Sequence, residues 1–174
     1  MHRNTTYLPL FRGLFAKVHQ MPNIDDTDMA ILAELQSNAR ITNKALASAV
    51  GVAPSTCLDR VRSLERAGVI TGYRAEVDPA ALGRSVQAMV AVRLRPKTSD
   101  VVEAFLDAMW EMDETMSVTL VTGVDDALVH MCVESVDKLR SSVLERVAQA
   151  PGVVDERTSL VFEHRRRHVL GAAG

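Results

Sequence analysis

With 174 residues, 47% of them hydrophobic and 24% charged, the chain has room for one large or two small globular domains, and its formal net charge is only −2. Two cysteines, Cys57 and Cys132, exclude a disulfide framework and a zinc quartet within one chain, which suits a reducing cytoplasm. No apolar run is long enough to cross a bilayer, and the piece "YLPLFRGLFAKV" is interrupted by Arg12 without a small-residue cleavage site, so neither secretion nor a membrane partner is expected.

Residues 1–20 carry Arg3, Arg12 and Lys17 against no carboxylate, with Pro9 and Gly13 as breakers. We expect a disordered or extraneous extension, with Met21 as an alternative start. Regular patterning begins at Ile24. Asp25 suits the N-cap of a first helix whose opening turn holds Asp26 and Asp28, with Ile24 and Met29 spaced for a hydrophobic staple and Ile31, Leu32 and Leu35 as its apolar stripe. Thr42 opens a second helix with Leu46 and Val50 on one face, Ala47 beside them and Gly51 as the stop. Pro54 opens a third, running to Ala67 with Cys57, Val61 and Leu64 inward and Gly68 beyond its end.

Small Ala47 and Gly51 at the corner predict a helix-turn-helix over residues 21–72, with the third helix in the reading position. If Cys57, Val61 and Leu64 face the core, then Ser55, Thr56, Asp59, Arg60 and Ser63 face outward or flank that stripe and are the expected readers of base edges. From Arg40 to Arg74 six cations (Arg40, Lys44, Arg60, Arg62, Arg66 and Arg74) stand against Asp59 and Glu65, a local positive surplus of four in a chain that is slightly negative. Such a surplus suits phosphate neutralisation on double-stranded DNA. A merely solvated helix face is the plainer reading of the charge alone. The alternating stretch from Ile70 to Val77 predicts a strand, giving a winged variant or a linker over 73–85, and Asp78-Pro79 punctuates it.

The second half, 86–169, reads βαββαβ, with a tail at 170–174. Val86, Ala88, Val90, Val92 and Leu94 share a strand face, and Ser99 is the expected cap of a helix burying Val102, Phe105, Leu106 and Met109. Strands Ser117–Thr122 and Ala127–Val133 flank the corner "GVDD". Ser135 caps a helix burying Leu139, Val143 and Val147, Pro151-Gly152 ends it, and "VVDERTSLVFEH" is the last strand. Right-handed crossovers close this order as a ferredoxin-like sheet with both helices on one face. The other face, with Met89, Ala91, Thr119 and Val121, is partly apolar, so a homodimer formed face to face is expected. The fold class is therefore α+β, a winged helix-turn-helix domain followed by a ferredoxin-like domain.

The stretch from "DDTDMAILAEL" through "ARIT", "LERAGVI", "GY" and "DPAALG" resembles the N-terminal half of the Lrp/AsnC (feast/famine) transcriptional regulators, and "TGVDDALVHMCV" is similar to the Gly-x-x-Asp corner of that family's effector domain. The resemblance implies a regulator that binds a roughly palindromic site through paired reading helices. It implies a small effector, an amino acid or related metabolite, at an interface beside Thr122, Gly123, Val124, Asp125 and Asp126, and assembly into dimers and higher oligomers up to octamers. Gly123 would let backbone N–H groups approach a carboxylate, and Asp125 or Asp126 would pair with an ammonium. A plain hairpin turn explains the same residues. Ala53 departs from the family's capping serine, a local loss of roughly 1 kcal/mol. Asp59 replaces a common cation and would repel phosphate or accept from a cytosine amino group. Ala127 departs from an aromatic residue common after the aspartate.

No catalytic, metal or cofactor site is expected. His164 and His168 flank Arg165, Arg166 and Arg167, a pattern read as a solvated basic tail rather than a metal site, and Met109, Trp110, Met112 and Met116 read as core or interface filling. The alternative functions are a nucleoid-associated architectural protein without a specific operator, sharing the same DNA-facing residues, and a sirohaem-decarboxylase-like enzyme of similar architecture that would use His130.

Overall fold

The computed structural model describes residues 23–167 and 169–171. The expectations for residues 1–20, for His168 and for most of the 170–174 tail lie outside the described residues. Contacts divide the chain into a unit reaching to Glu76, which also takes in the residues from Arg165 onward, and a unit spanning Val77–His164.

The first unit contains α1 (Asp26–Ser37), α2 (Asn43–Val50) and α3 (Pro54–Arg66). Asp25 closes a capping box, its Oδ1 accepting from the Asp28 N–H at 2.8 Å while its own N–H donates to Asp28 Oδ2 at 3.3 Å, so two orphan donors of α1 are satisfied. The Thr42 hydroxyl accepts from the Ala45 N–H at 3.2 Å. Gly51 takes φ 75 at the end of α2, the left-handed geometry the corner requires. Ala53 caps α3 with no side-chain bond, as its identity dictates. The Asn43 amide instead donates to Pro54 O at 2.8 Å and pins the start of α3 to the start of α2. Ile31, Leu46, Ala47, Cys57 and Leu64 form the buried core, with Leu32, Leu35, Val50 and Val61 packed around it.

The strand expected from Ile70 to Val77 is absent: residues 71–77 are exposed and irregular. A strand exists only through ladder bonds to a neighbour, and among the described residues none pairs with this stretch.

The second unit runs β1 (Val86–Leu94), α4 (Ser99–Trp110), β2 (Thr115–Leu120), β3 (Ala127–Val133), α5 (Val136–Ser142, prolonged by a π-turn through Val147) and β4 (Val153–Leu160). The sheet order is β2-β3-β1-β4, antiparallel throughout, which is the ferredoxin-like topology. Ala88, Val90, Val92 and Leu94 are wholly buried against Phe105, Met109, Leu139, Val143 and Val147, so both helices cover one face. Three boundaries differ from expectation. Thr98, rather than Ser99, occupies the N-cap of α4. β2 begins and ends two residues early, and past its end the Val121 N–H donates to Asp126 O at 3.0 Å, where the corner starts. β4 stops at Leu160, leaving Phe162 98% exposed. On the uncovered face Met89, Ala91 and Val121 are half-buried and Thr119 is exposed. Of the Met and Trp cluster, Met109 and Met112 fill the core while Trp110 and Met116 face outward.

Glu114 is buried beneath this sheet, with the Lys138 ammonium at 2.9 Å and the Ser142 hydroxyl donating at 3.1 Å. Burial opposes its ionisation, but these partners and its own backbone N–H outweigh burial and hold its pKa below the ordinary 4.5. A depressed folded-state pKa contributes stability above the unfolded value that is lost as pH falls through the folded one. Glu114→Gln is therefore expected to flatten the acid limb of the stability profile below pH 4.5, measured by urea unfolding at stepped pH.

Two glycines make a paired prediction. A Cβ on Gly51 meets nothing within 4 Å, so Gly51→Ala is expected to cost only the left-handed backbone penalty, about 1–2 kcal/mol. At Gly152, φ 76, a Cβ would lie 2.2 Å from Val101 Cγ1 and 3.2 Å from Arg95 O. Gly152→Ala should lower the urea midpoint further, and equal losses would mean that Val101 moves aside freely.

Candidate DNA interface and effector corner

At about 100° per residue along α3, Cys57, Val61 and Leu64 define the inward stripe and Ser55, Asp59, Arg62 and Arg66 lie opposite it. All four of these, with Thr56 and Ser63 beside them, are exposed. Arg66 Nε donates to Arg62 O at 3.3 Å, which lays its guanidinium along the same face. Arg40 and Lys44 are exposed at and after the turn before α2, and the Arg40 N–H is fixed by Asn38 Oδ1 at 3.0 Å. Arg74 folds back over Gly72, its Nη1 3.5 Å from where a Cβ would stand there. Beside it, the Tyr73 hydroxyl donates to Glu65 Oε1 at 3.1 Å; burial first and then this carboxylate raise the phenol's pKa.

Arg60 has a different environment from the other expected readers. Its Nη1 bridges Asp25 Oδ2 at 2.7 Å and Asp28 Oδ1 at 2.9 Å, joining α3 to the acidic start of α1. Its hydrogen bonds to the Asp28 and then the Asp25 carboxylate raise its pKa, while the Asp28 backbone N–H and then Arg60 lower that of Asp25. The sequence offered both carboxylates as helix-start residues; their second use, across 32 and 35 positions, is not a local signal.

In the second unit the corner Thr122–Asp125 arches between β2 and β3. Thr122, Gly123 and Val124 are exposed, Gly123 takes φ 136, and no atom lies within 4 Å of a Cβ built on it. Among the described residues no backbone hydrogen bond uses the N–H groups of Thr122, Gly123 or Val124, so the arch presents donors to an incoming anion. Asp126 turns inward and is 7% exposed. Its N–H donates to Val92 O at 2.9 Å, its Oδ2 accepts from the Leu94 N–H at 3.0 Å, and its carboxylate meets Lys97 Nζ at 2.6 Å and Arg95 Nη1 at 3.3 Å. Asp125 pairs with Arg157. Both carboxylates expected to await an effector's ammonium thus already hold cations of this chain. Lys97, Arg95 and Arg157 were not singled out in the sequence because their partners lie some thirty residues away.

His130 and His164 come together with ring centroids 5.5 Å apart, and His130 Nε2 lies 3.1 Å from Gln87 Oε1. Burial and then His164 lower the His130 pKa. Among the described residues no third metal-ligating side chain joins them. The Gln36 amide holds the Leu170 main chain by two bonds, 3.2 and 2.9 Å, a tie that the reading of the tail as simply solvated did not anticipate.

A DNA-facing helical unit followed by an effector-type sheet defines a class of ligand-responsive regulator, and comparison with known proteins agrees. Residues 24–71 match the winged helix-turn-helix DNA-binding family and residues 87–169 the Lrp/AsnC ligand binding domain. The chain is 40% identical to the HTH-type transcriptional regulator AldR of Mycolicibacterium smegmatis over 83% of this chain and 84% of that one. It is 38% identical to the leucine-responsive regulatory protein of Escherichia coli over 81% and 86%. A transcriptional regulator of Neisseria meningitidis, solved as its complex with L-Met, superposes with a TM-score of 0.78 at 30% identity, covering 87% of this chain and 97% of that one. The chain belongs to the Lrp/AsnC family of transcriptional regulators.

Removing Lys97 takes from the buried Asp126 the ammonium 2.6 Å from its carboxylate. Lys97→Met is expected to destabilise the second unit by about 1–3 kcal/mol in urea unfolding, whereas Asp126→Asn with Lys97→Met should recover part of the loss. An unchanged midpoint in Lys97→Met would show that the pair contributes nothing.

Proposed function

We propose that the chain regulates transcription by binding double-stranded DNA through the exposed face of α3, with Arg62 and Arg66 at phosphates, Ser55, Thr56, Asp59 and Ser63 toward base edges, and Arg40, Lys44 and Arg74 flanking. An amino acid or related metabolite alters DNA affinity or assembly from the corner Thr122–Asp126. The observation that carries this reading is the pairing, in one chain, of a cation-lined outward helix face with an exposed glycine corner whose Thr122, Gly123 and Val124 N–H groups have no backbone acceptor among the described residues. Val124, 72% exposed on that corner, offers an apolar surface to an aliphatic side chain. Relatives described as leucine-responsive or solved with L-Met suit such an effector. The partly apolar uncovered sheet face supports a homodimer, and higher oligomers follow if dimers associate further. A cytoplasmic, nucleoid-associated location, with the DNA-binding domain at 21–72, the hinge at 73–85 and the effector domain at 86–169, completes the proposal.

The test is fluorescence anisotropy with a duplex from the gene's own upstream region against a scrambled duplex of equal length, from 50 to 200 mM salt, with and without L-leucine or L-methionine. The upstream duplex should bind preferentially. Arg62→Ala and Arg66→Ala should each lower the log–log salt slope by about one unit for each reading helix engaged. Gly123→Val, which fills the open corner, should abolish the amino-acid response and leave DNA binding in place. Equal binding to both duplexes would favour an architectural role; no binding to either would remove the DNA reading.

A further inference from the structure

We infer that Arg60, although it lies on the reading helix, is a positioning residue that neutralises no DNA phosphate: its charge is consumed by Asp25 and Asp28, and it fixes the angle of α3 against α1. This rests on the DNA-binding reading above and separates one cation from the others in it. Three observations carry it.

The first is direction. Arg60 lies about 60° from the inward stripe of α3, on the side of α1, whereas Arg62 and Arg66 lie opposite that stripe. The second is geometry. A single nitrogen, Nη1, contacts both carboxylates at 2.7 and 2.9 Å, and the Asp28 side chain is only 14% exposed, so the bridge lies against the helix pair. The third is charge balance. Two carboxylates around one guanidinium leave the cluster with a net charge of −1, which repels a phosphate and releases no counterion. Drawing Arg60 onto DNA would also leave Asp25 and Asp28 facing each other without a cation. The capping box makes this costly, because the same carboxylates are fixed by the backbone N–H groups that start α1.

Asp25 and Asp28 therefore act as an internal substitute for phosphate. They remove one cation from sequence-independent attraction and use it to orient the outward face that reads bases, which favours discrimination over raw affinity.

The experiment uses the full chain, the upstream and scrambled duplexes and the same salt range, with folding checked by circular dichroism. Arg60→Ala should lower the preference for upstream over scrambled DNA several-fold while leaving the salt slope on scrambled DNA unchanged. Asp25→Asn with Asp28→Asn keeps side chains able to cap α1 but frees the guanidinium, and should steepen the slope by about one unit for each reading helix engaged. A merely structural tie would not steepen the slope. The inference is overturned if Arg60→Ala flattens the slope by about one unit per helix, or if the double asparagine variant leaves it unchanged. A wild-type chain that binds neither duplex would instead overturn the DNA-binding reading and this inference with it.

Discussion

A carboxylate taken out of water must be met by charge and by hydrogen bonds, and in the second unit that constraint falls on Asp126. Its backbone amide and its side chain both reach the end of β1, through Val92 O and the Leu94 N–H, so it prolongs the β1–β3 ladder past its last regular pair. Lys97, two residues before α4, closes the remaining side. The start of β3, the end of β1 and the approach to α4 are thereby joined at one point beneath the corner. Because both ends of the corner are held by Asp126, through its own inward bonds and through Val121, the exposed residues between them form an arch on fixed supports.

The first unit applies the same physics to a different end. Asp25 and Asp28 are placed by the needs of a helix start, which wants acceptors at its unpaired N–H groups and negative charge at its positive end. Once there, they supply a site for a guanidinium, and α3 provides one. Together with the Asn43 amide on Pro54 O, this gives α3 two polar attachments, one at its first turn and one in its middle, in addition to the small core around Ile31 and Cys57. A helix held to both of its neighbours by directional bonds keeps its outward side chains in a fixed orientation.

What the sequence disclosed, and what it withheld, follows from the range of each interaction. Local rules placed Asp25, Thr42, Gly51, Pro54 and Ser135 at their helix ends, and periodicity separated Cys57 and Leu64, or Val90 and Val92, from their exposed neighbours. The βαββαβ order and its closure followed from element order and handedness. Ile70–Val77 misled because alternation signals a strand only if a neighbour supplies a ladder, and periodicity carries no information about neighbours. The candidate site residues divide the same way. The outward set on α3 and the open Gly123 corner are readable from spacing and residue type. That Arg60, Asp125 and Asp126 already have partners is not, since each partner lies some thirty residues away on an element whose placement only the fold determines.

That last difference bears on how an effector gains leverage. A ligand shifts an equilibrium only by its differential affinity for the two states. On the proposed reading a zwitterionic amino acid meets, in a single chain, backbone donors suited to its carboxylate and two aspartates already neutralised by Lys97, Arg95 and Arg157. Its ammonium must then either displace one of those cations, disturbing the point where β1, β3 and the approach to α4 are joined, or find acceptors on a second copy of the chain. The first route couples binding to the internal packing of the unit and the second to assembly. In both, the binding free energy depends on a rearrangement beyond the corner itself, and on the proposed reading that dependence is what would let a small molecule at an exposed turn act on the DNA-binding face of the other unit.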